Sequence, residues 1–100
     1  MKLGKVIGQV VSTRKDERLV GHKLLLVQFL EPGKDGRLMS ARGDGHVEIS
    51  VDLVGAGVGE IVLLCSGSSA RNAAGVIDAP IDFAIVGIVD TVDVCSDEIM

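Results

Sequence analysis

The sequence predicts an all-β protein, a small five-stranded barrel with one short helix. The first observation is composition: 47% of the residues are hydrophobic but only 2% are aromatic, so the apolar residues are mainly Val, Ile, Leu and Ala. Val and Ile favour pleated strands. The second observation is a series of short strand-like runs separated by turn residues. The third is a glycine inside two of these runs, Gly8 and Gly87, where a small barrel has to bend.

The first half of the chain predicts two strands and a long loop. Leu3–Val11 is the first predicted strand, and a charged connection, Arg14–Gly21, follows it. Lys23–Leu30 is the second strand and is apolar on both faces, whereas a strand with one wet face would alternate. We therefore expect it either to be central or to meet a partner with its outer face. Glu31–His46 contains Pro32 and four glycines, exceeds the usual loop length and is predicted to be a loop.

The second half predicts three more strands. Val47–Asp52 alternates cleanly between apolar and polar residues, which is typical of a half-buried strand. Glu60–Cys65 is a short apolar run after a glycine-rich segment, and Asp82–Val94 is the last predicted strand. Five strands in so short a chain favour a closed or nearly closed barrel. We assign residues 1–95 to one barrel domain and residues 96–100 to a C-terminal tail.

One helix is predicted, at Ser68–Ala74. Either Ser68 or Ser69 can cap its N-terminus, because a serine hydroxyl accepts a hydrogen bond from the first free backbone N–H groups. Gly75 can end the helix, since glycine adopts the left-handed conformation without strain. The backbone N–H groups at such an N-terminus attract anions, so several copies meeting at a symmetry axis would line an electropositive opening.

Charge and targeting features exclude several classes of partner. Ten basic and fourteen acidic residues give a net charge of −4, which argues against nucleic acid and against anionic lipid surfaces. Lys2 and Lys5 interrupt the start of the chain, so no targeting signal is predicted. The apolar runs are far shorter than the roughly 20 residues of a membrane span. Cys65 and Cys95 make no disulfide framework and are interpreted as small apolar residues in a reducing cytoplasm.

Two motifs invite a catalytic or cofactor interpretation, and both fail. Gly55, Gly57 and Gly59 begin like a dinucleotide-binding loop, but Glu60 stands where the third glycine belongs and a strand follows instead of a helix. The segment 67–71 contains serines but lacks the second glycine of a G-x-S-x-G nucleophile motif. Neither histidine has further ligands at metal-binding spacing. We therefore predict no catalytic site, no cofactor and no metal.

Five segments, taken in order, resemble the EutN/CcmL family of pentameric vertex proteins of bacterial microcompartments. They are GKVIGQVVST at 4–13, LVGHKLLLVQ at 19–28, VDLVGAGVGE at 51–60, GSSAR at 67–71, and Pro80-Ile-Asp82 with VGIVD at 86–90. The ordered set is specific although no single motif is decisive, and it covers about residues 1–94. Phe29 stands where Pro is common in the family, and the loop Glu31–His46 varies among its members.

The resemblance implies an OB-like barrel that forms a homopentamer, associates with hexameric microcompartment shell proteins, and caps the vertices of a cytoplasmic polyhedral shell. A flat hexagonal layer cannot close, and five-fold units introduce the curvature. The resemblance also implies where the subunit interface or central opening lies. The candidate residues are Gly55, Gly57, Gly59, Glu60, Gly67, Ser68, Ser69, Ala70, Arg71, Pro80 and Asp82.

Two other classes of function remain open at this stage. One is an OB-like binder of nucleic acid or oligosaccharide, which would need basic grooves and aromatic stacking platforms that this composition lacks. The other is a small enzyme or an enzyme's accessory subunit, which would lose turnover on Ser69→Ala. A structural shell protein that is not an enzyme remains the leading interpretation.

Overall fold

The computed structural model describes residues 1–13, 15–41, 46–75 and 79–95. Within these ranges the chain forms six strands, one α-helix and one short 3-10 helix. The strands are β1 Lys2–Val10, β2 Lys23–Pro32, β3 Leu38–Ser40, β4 Val47–Asp52, β5 Ile61–Ser66 and β6 Phe83–Val89. The helix α1 spans Gly67–Ala74, and the 3-10 turn spans Glu17–Leu19.

Five of the strands close into a barrel in the order β1–β5–β6–β4–β2, with β2 pairing back onto β1. Each of these pairings is antiparallel except that of β4 with β6, which is parallel and joins Val51 to Ala84 and Asp52 to Ile85. This confirms the predicted OB-like barrel with one short helix. The short strand β3 lies outside the ring of strands and pairs with the end of β2.

The barrel interior is filled by apolar side chains from β1, β2, β5 and β6, together with one residue of the β4–β5 connection. The interior residues are Val6, Leu25, Val27, Phe29, Ala56, Val62, Leu64 and Ile85. Phe83 is half-buried and packs against this cluster, with its ring edge-on to Phe29 at a centroid distance of 5.1 Å. Phe83 therefore packs at the edge of the core.

A second apolar cluster lies on the outside of the barrel, beneath α1. It comprises Val51, Cys65, Ala70, Ala79, Ile81 and Ala84. The helix and the segment 79–81 thus cover the outer faces of β4, β5 and β6. The expectation of a buried cysteine is correct for Cys65, but Cys95 is exposed; both are free.

Glycines provide the bends that a small barrel needs, as predicted. The β1–β2 register shifts between Val6 and Gly8, which leaves Ile7 without a cross-strand partner. Beyond Ile7 this bulge changes which face of β1 each side chain takes. A second shift lies in the β5–β6 pairing, beside Gly87.

Several predicted boundaries differ from the structure because they depend on pairing partners. The last strand ends at Val89 instead of Val94, since Val89 pairs with Ile61, the first residue of β5. The predicted loop Glu31–His46 contains the end of β2 and the strand β3, and its residues 42–45 lie outside the described ranges. The proposed tail, 96–100, also lies outside them, so the domain boundary stays a prediction.

Candidate subunit interface

The β4–β5 turn, residues 53–60, is organised at its start by one carboxylate. Asp52 Oδ1 accepts hydrogen bonds from the backbone N–H groups of Val54 and Gly55, both at 3.1 Å. The N–H of Ala56 donates to Oδ1 at 3.2 Å and to Oδ2 at 3.0 Å. A carboxylate that accepts several backbone N–H groups makes strong, charge-assisted hydrogen bonds. The turn therefore has a defined shape that sequence analysis did not attribute to Asp52.

The end of the same turn is held by a second carboxylate and by strand β1. Glu60 Oε1 accepts the N–H of Gly57 at 2.7 Å, and the Glu60 N–H donates to the Gly57 carbonyl at 3.1 Å. The Val6 N–H donates to the Glu60 carbonyl at 3.0 Å, and the Gly59 N–H donates to the Val6 carbonyl at 2.8 Å. Gly55 and Gly59 have φ of 80° and 95°, which explains why these positions are glycine.

Helix α1 begins one residue earlier than predicted. Ser66 occupies the N-cap position without a side-chain hydrogen bond, and Gly67 begins the helix with φ of 59°. The prediction that Ser68 or Ser69 caps the helix is therefore wrong, because both lie in its first turn and are exposed. Gly75 ends the helix in the left-handed conformation with φ of 76°, as predicted.

Arg71 joins α1 to the segment that leads into β6. Its Nη1 donates to the carbonyl of Ile81 at 3.2 Å, and the side chain is half-buried. The Gly67 N–H donates to the Asp82 carbonyl at 2.8 Å, so a second bond links the helix to this segment. Pro80 and Asp82 are exposed on either side of buried Ile81. The contact seen for Arg71 is therefore within its own subunit.

The candidate residues form two separate clusters. The β4–β5 turn precedes β5 and the start of α1 follows it, and a strand of this length separates Glu60 from Gly67 by roughly 20 Å. Ala70, also a candidate, lies on the buried face of α1. One cluster thus lies against β1, and the other lies against the start of β6.

An apolar groove on the outside of the barrel adds residues that sequence analysis did not assign to a site. We define the outer groove by four side chains on β2 and β4: Leu24, Leu26, Val47 and Ile49. It has a volume of about 550 Å³, and Leu19, Pro80 and Asp82 also line it. The groove includes two of the candidates, and the two-sided apolar character of β2 was the signal for it.

The outer groove arises because β4 presents its apolar side outward. Leu26 pairs with Ile49 and Leu24 with Val51, so these residues share the outer face. Ser50 faces the other way and is 1% exposed. The alternation predicted for β4 is confirmed as a pattern, but its polar face is the one turned into the barrel.

The described residues hold no group of three or more His, Cys, Asp or Glu side chains able to bind a metal ion. His46 pairs with Glu48 at 3.0 Å and stacks on Phe29, with ring centroids 5.0 Å apart. Among the same residues, no helix has the length and apolarity required to cross a membrane.

The closed barrel with one short helix defines a small, all-β protein of OB-like type. The chain belongs to the EutN/CcmL family: the family model described as "Ethanolamine utilisation protein EutN/carboxysome" matches residues 1–90. The resemblance inferred from the sequence is therefore confirmed.

Individual relatives agree over nearly the whole chain. The shell vertex protein GrpN of Rhodospirillum rubrum is 53% identical over 93 residues, which are 93% of this chain and 97% of GrpN. The shell vertex protein PduN of Salmonella typhimurium is 52% identical over 91% of this chain and 97% of its own length. The solved structure of the GrpN pentameric microcompartment shell protein superposes with a TM-score of 0.77 at 47% identity, covering 95% of this chain and 100% of that one.

Family membership decides between the classes of function considered from the sequence. The family is one of structural shell vertex proteins, so the interpretation of the chain as a structural protein and not an enzyme is confirmed. The assignment of particular residues to a subunit interface or central opening is not tested by these similarities and stays a prediction.

Proposed function

We propose that this chain forms a homopentamer that occupies the vertices of a bacterial microcompartment shell in the cytoplasm. The observation that carries the proposal is its similarity, at 47% identity across 95% of the chain, to a pentameric microcompartment shell protein. Family members from carboxysomes and from other microcompartments carry the same vertex designation. A barrel of this size also gains stability from oligomerisation, because a small domain buries a modest share of its surface.

The pentamer acts by geometry. Hexameric shell proteins tile a plane, and a plane of hexagons cannot close on itself. Units with five-fold symmetry introduce the missing curvature at the vertices of a polyhedron. The contact that matters is therefore between the rim of the pentamer and the edges of neighbouring hexamers. No nucleic acid or membrane takes part in this function, in line with the net charge of −4.

Native mass spectrometry tests the first part of the proposal. We expect a species with five times the 10.4 kDa mass of the chain at micromolar concentration. A ring of identical subunits closes at one rotation angle, so a single dominant mass is expected instead of a ladder. Monomers alone under these conditions would contradict the proposal.

Electron microscopy of assembled shells tests the second part. Hexameric proteins satisfy their edge contacts in a sheet or tube, so shells that lack this protein and any paralogue are expected to be open or elongated. Adding the wild-type protein should restore closed polyhedra. Closed polyhedra of normal shape in its absence would show that the vertices are filled in another way.

A further inference from the structure

We infer that, in the ring proposed above, the outer groove of each subunit receives the outer face of strand β1 from the next subunit. We define the β1 face by Lys5 and Ile7 on β1 together with Val58 at the tip of the β4–β5 turn. The inference rests on the proposed pentamer and deepens it by assigning the two contacting surfaces. A head-to-tail ring needs two different surfaces on every subunit.

The outer groove is apolar surface that the subunit leaves uncovered. Ile49 is 50% exposed and Val47 is 40% exposed. Farther along the same outer face, α1 and the segment 79–81 bury the equivalent strand surface, leaving Val51 2% and Ala84 0% exposed. The groove therefore continues a surface that the protein covers elsewhere with its own chain. A contiguous apolar patch beside polar residues marks a protein interface.

The position of β1 around the barrel suits a ring of five. Five strands divide the barrel circumference into steps of about 72°. β1 lies one and a half steps from the seam between β2 and β4, which is about 108°. In a closed ring of five subunits whose barrel axes run parallel to the five-fold axis, which is the arrangement we infer, the two contact faces of each subunit also diverge by about 108°. Strand β6 lies at the same angle on the other side, but its outer residue Ala84 is fully buried in the cluster beneath α1.

The β1 face has apolar side chains and a charge that are complementary to those of the groove. Ile7 is 43% exposed and Val58 is 68% exposed. Lys5 is exposed beside them, whereas the lining of the groove contains the exposed acidic residue Asp82. Apolar side chains would therefore fill the groove while opposite charges meet in its lining, which favours specific association.

The β4–β5 turn brings Val58 to this face in a fixed position. The hydrogen bonds that Val6 makes with Gly59 and Glu60 hold the turn against β1, and the Asp52 and Glu60 carboxylates hold its interior. A surface that is already ordered loses little conformational entropy when it binds. The two clusters of candidate residues then fall on complementary surfaces, with the turn on one side of the contact and Pro80 and Asp82 on the other.

Three single substitutions test the assignment by native mass spectrometry, after the wild-type mass has been measured. Ile49→Glu places a charge in the outer groove, and Val58→Glu places one on the β1 face. Each is expected to raise the dissociation constant of the subunit contact at least about tenfold, because a central apolar contact is lost. Val92→Glu is the matched control: Val92 is 37% exposed beyond the end of β6 and lies on neither surface, so the ring should persist.

A mixing experiment tests the head-to-tail arrangement itself. The Ile49→Glu subunit keeps an intact β1 face, and the Val58→Glu subunit keeps an intact outer groove. One good contact can therefore form between them and no second one, so the mixture is expected to give heterodimers at concentrations where each variant alone is monomeric. Far-UV circular dichroism and the thermal midpoint verify that both variants are folded, as expected for exposed positions.

The outcomes separate this inference from the proposed function. A wild-type protein that is not pentameric would overturn both. A wild-type pentamer with either Ile49→Glu or Val58→Glu still pentameric, and with unchanged dissociation, would overturn the inference alone. A mixture that rebuilds the five-subunit ring, or that contains monomers only, would also contradict it.

Discussion

Asp52 shows how one side chain can set the shape of a whole turn. Its carboxylate accepts the N–H groups of three successive residues, Val54, Gly55 and Ala56. The first two of these residues are exposed, so water can replace the carboxylate there, but Ala56 is 1% exposed and lies in the barrel core. The cost of removing the carboxylate therefore concentrates at the Ala56 N–H.

We expect Asp52→Ala to lower the free energy of unfolding by about 1–3 kcal/mol, the usual cost of a buried N–H left without an acceptor. Urea unfolding followed by circular dichroism measures it. Asp93→Ala is the control, because Asp93 is exposed beyond the last strand and should change stability by less than about 0.5 kcal/mol. Equal effects at the two positions would show that the turn does not depend on Asp52.

Ser50 is a polar residue whose replacement should stabilise the protein. Its side chain is 1% exposed, and among the described residues its Oγ has no hydrogen-bond partner. A desolvated hydroxyl without a partner costs free energy. We therefore expect Ser50→Ala to raise the free energy of unfolding by about 1 kcal/mol. Ser40→Ala, at a half-buried position of β3, is the comparison and should be close to neutral; a destabilised Ser50→Ala protein would mean that the hydroxyl is in fact bonded.

The pKa of Asp16 is held well below the ordinary Asp value by Arg18. The guanidinium donates to both carboxylate oxygens at 2.8 Å, and the Arg18 backbone N–H donates as well. The pKa of Asp16 is lowered in the folded protein. The stability that the pairing with Arg18 contributes is therefore present above the ordinary Asp value of 3.8 and is lost as the pH falls through the lower pKa of the folded protein. The carboxylate should still be ionised at about pH 3.

An NMR titration of the Asp16 carboxyl carbon checks this shift. Arg18→Ala should raise the pKa of Asp16 most of the way towards its ordinary value, because both side-chain hydrogen bonds disappear while the backbone N–H of residue 18 still donates. Lys15→Ala is the control: the Lys15 ammonium donates to the Ser12 carbonyl and not to Asp16. An unchanged Asp16 titration in Arg18→Ala would assign the shift to another cause.

At the scale of an element, β1 contains two glycines with different roles. A Cβ on Gly4 would lie against Val27 Cγ1 and 2.9 Å from Leu64 Cδ1, inside the barrel core. A Cβ on Gly8 would make ordinary contact with Leu26 at 3.7 Å. The sequence predicted Gly8 as a bend, but the close approach at Gly4 depends on which strands surround it.

We therefore expect Gly4→Ala to lower the free energy of unfolding by about 1–3 kcal/mol through overpacking. Gly8→Ala should change it by less than about 1 kcal/mol, since the site has room and φ is not positive. Chemical unfolding of the two variants side by side provides the comparison. The reverse order would mean that the bulge at Gly8, and not the close contact at Gly4, requires glycine.

Local patterns predicted the elements better than their ends. The bounds of β4, Val47–Asp52, match the prediction because its alternation is flanked by glycine-rich segments on both sides. The prediction for β6 was too long for a physical reason. Strand-forming residues continue after Val89, but its partner strand β5 begins at Ile61, opposite Val89, and extends no farther in that direction. Strand propensity is a property of a single residue, whereas the length of a strand depends on the neighbouring strand that pairs with it.

At the scale of the whole molecule, assembly should be visible in thermal unfolding. If the folded subunit binds further copies and the unfolded chain does not, the midpoint must rise with protein concentration. We expect such a rise for the wild-type protein and its loss in Ile49→Glu, which should unfold at a concentration-independent midpoint. Differential scanning calorimetry over a hundredfold range of concentration measures both. A wild-type midpoint that does not move would argue against a stable ring.

The candidate site was predicted only in part, and the reason is three-dimensional. The glycines of the β4–β5 turn were recognisable from sequence because positive φ restricts them to glycine. The outer groove was signalled only by the two-sided apolar character of β2, because Leu24, Leu26 and Ile49 become one surface only when β2 and β4 pair in this register. The interface role of Arg71 stays a prediction; its bond to the Ile81 carbonyl was not predictable, because it depends on a segment ten residues away.

The parallel seam between β4 and β6 has a kinetic consequence. It joins only two residue pairs, whereas the other four seams of the barrel have between four and seven. A short seam is where a closed barrel opens first, so the Leu53 amide, which donates to the Ile85 carbonyl across it, should exchange with deuterium through local fluctuations well below the cost of global unfolding. A neighbouring subunit bound beside β4 would suppress this local opening of the β4–β6 pairing. The exchange rate of the Leu53 amide would then show whether the subunit belongs to a closed ring.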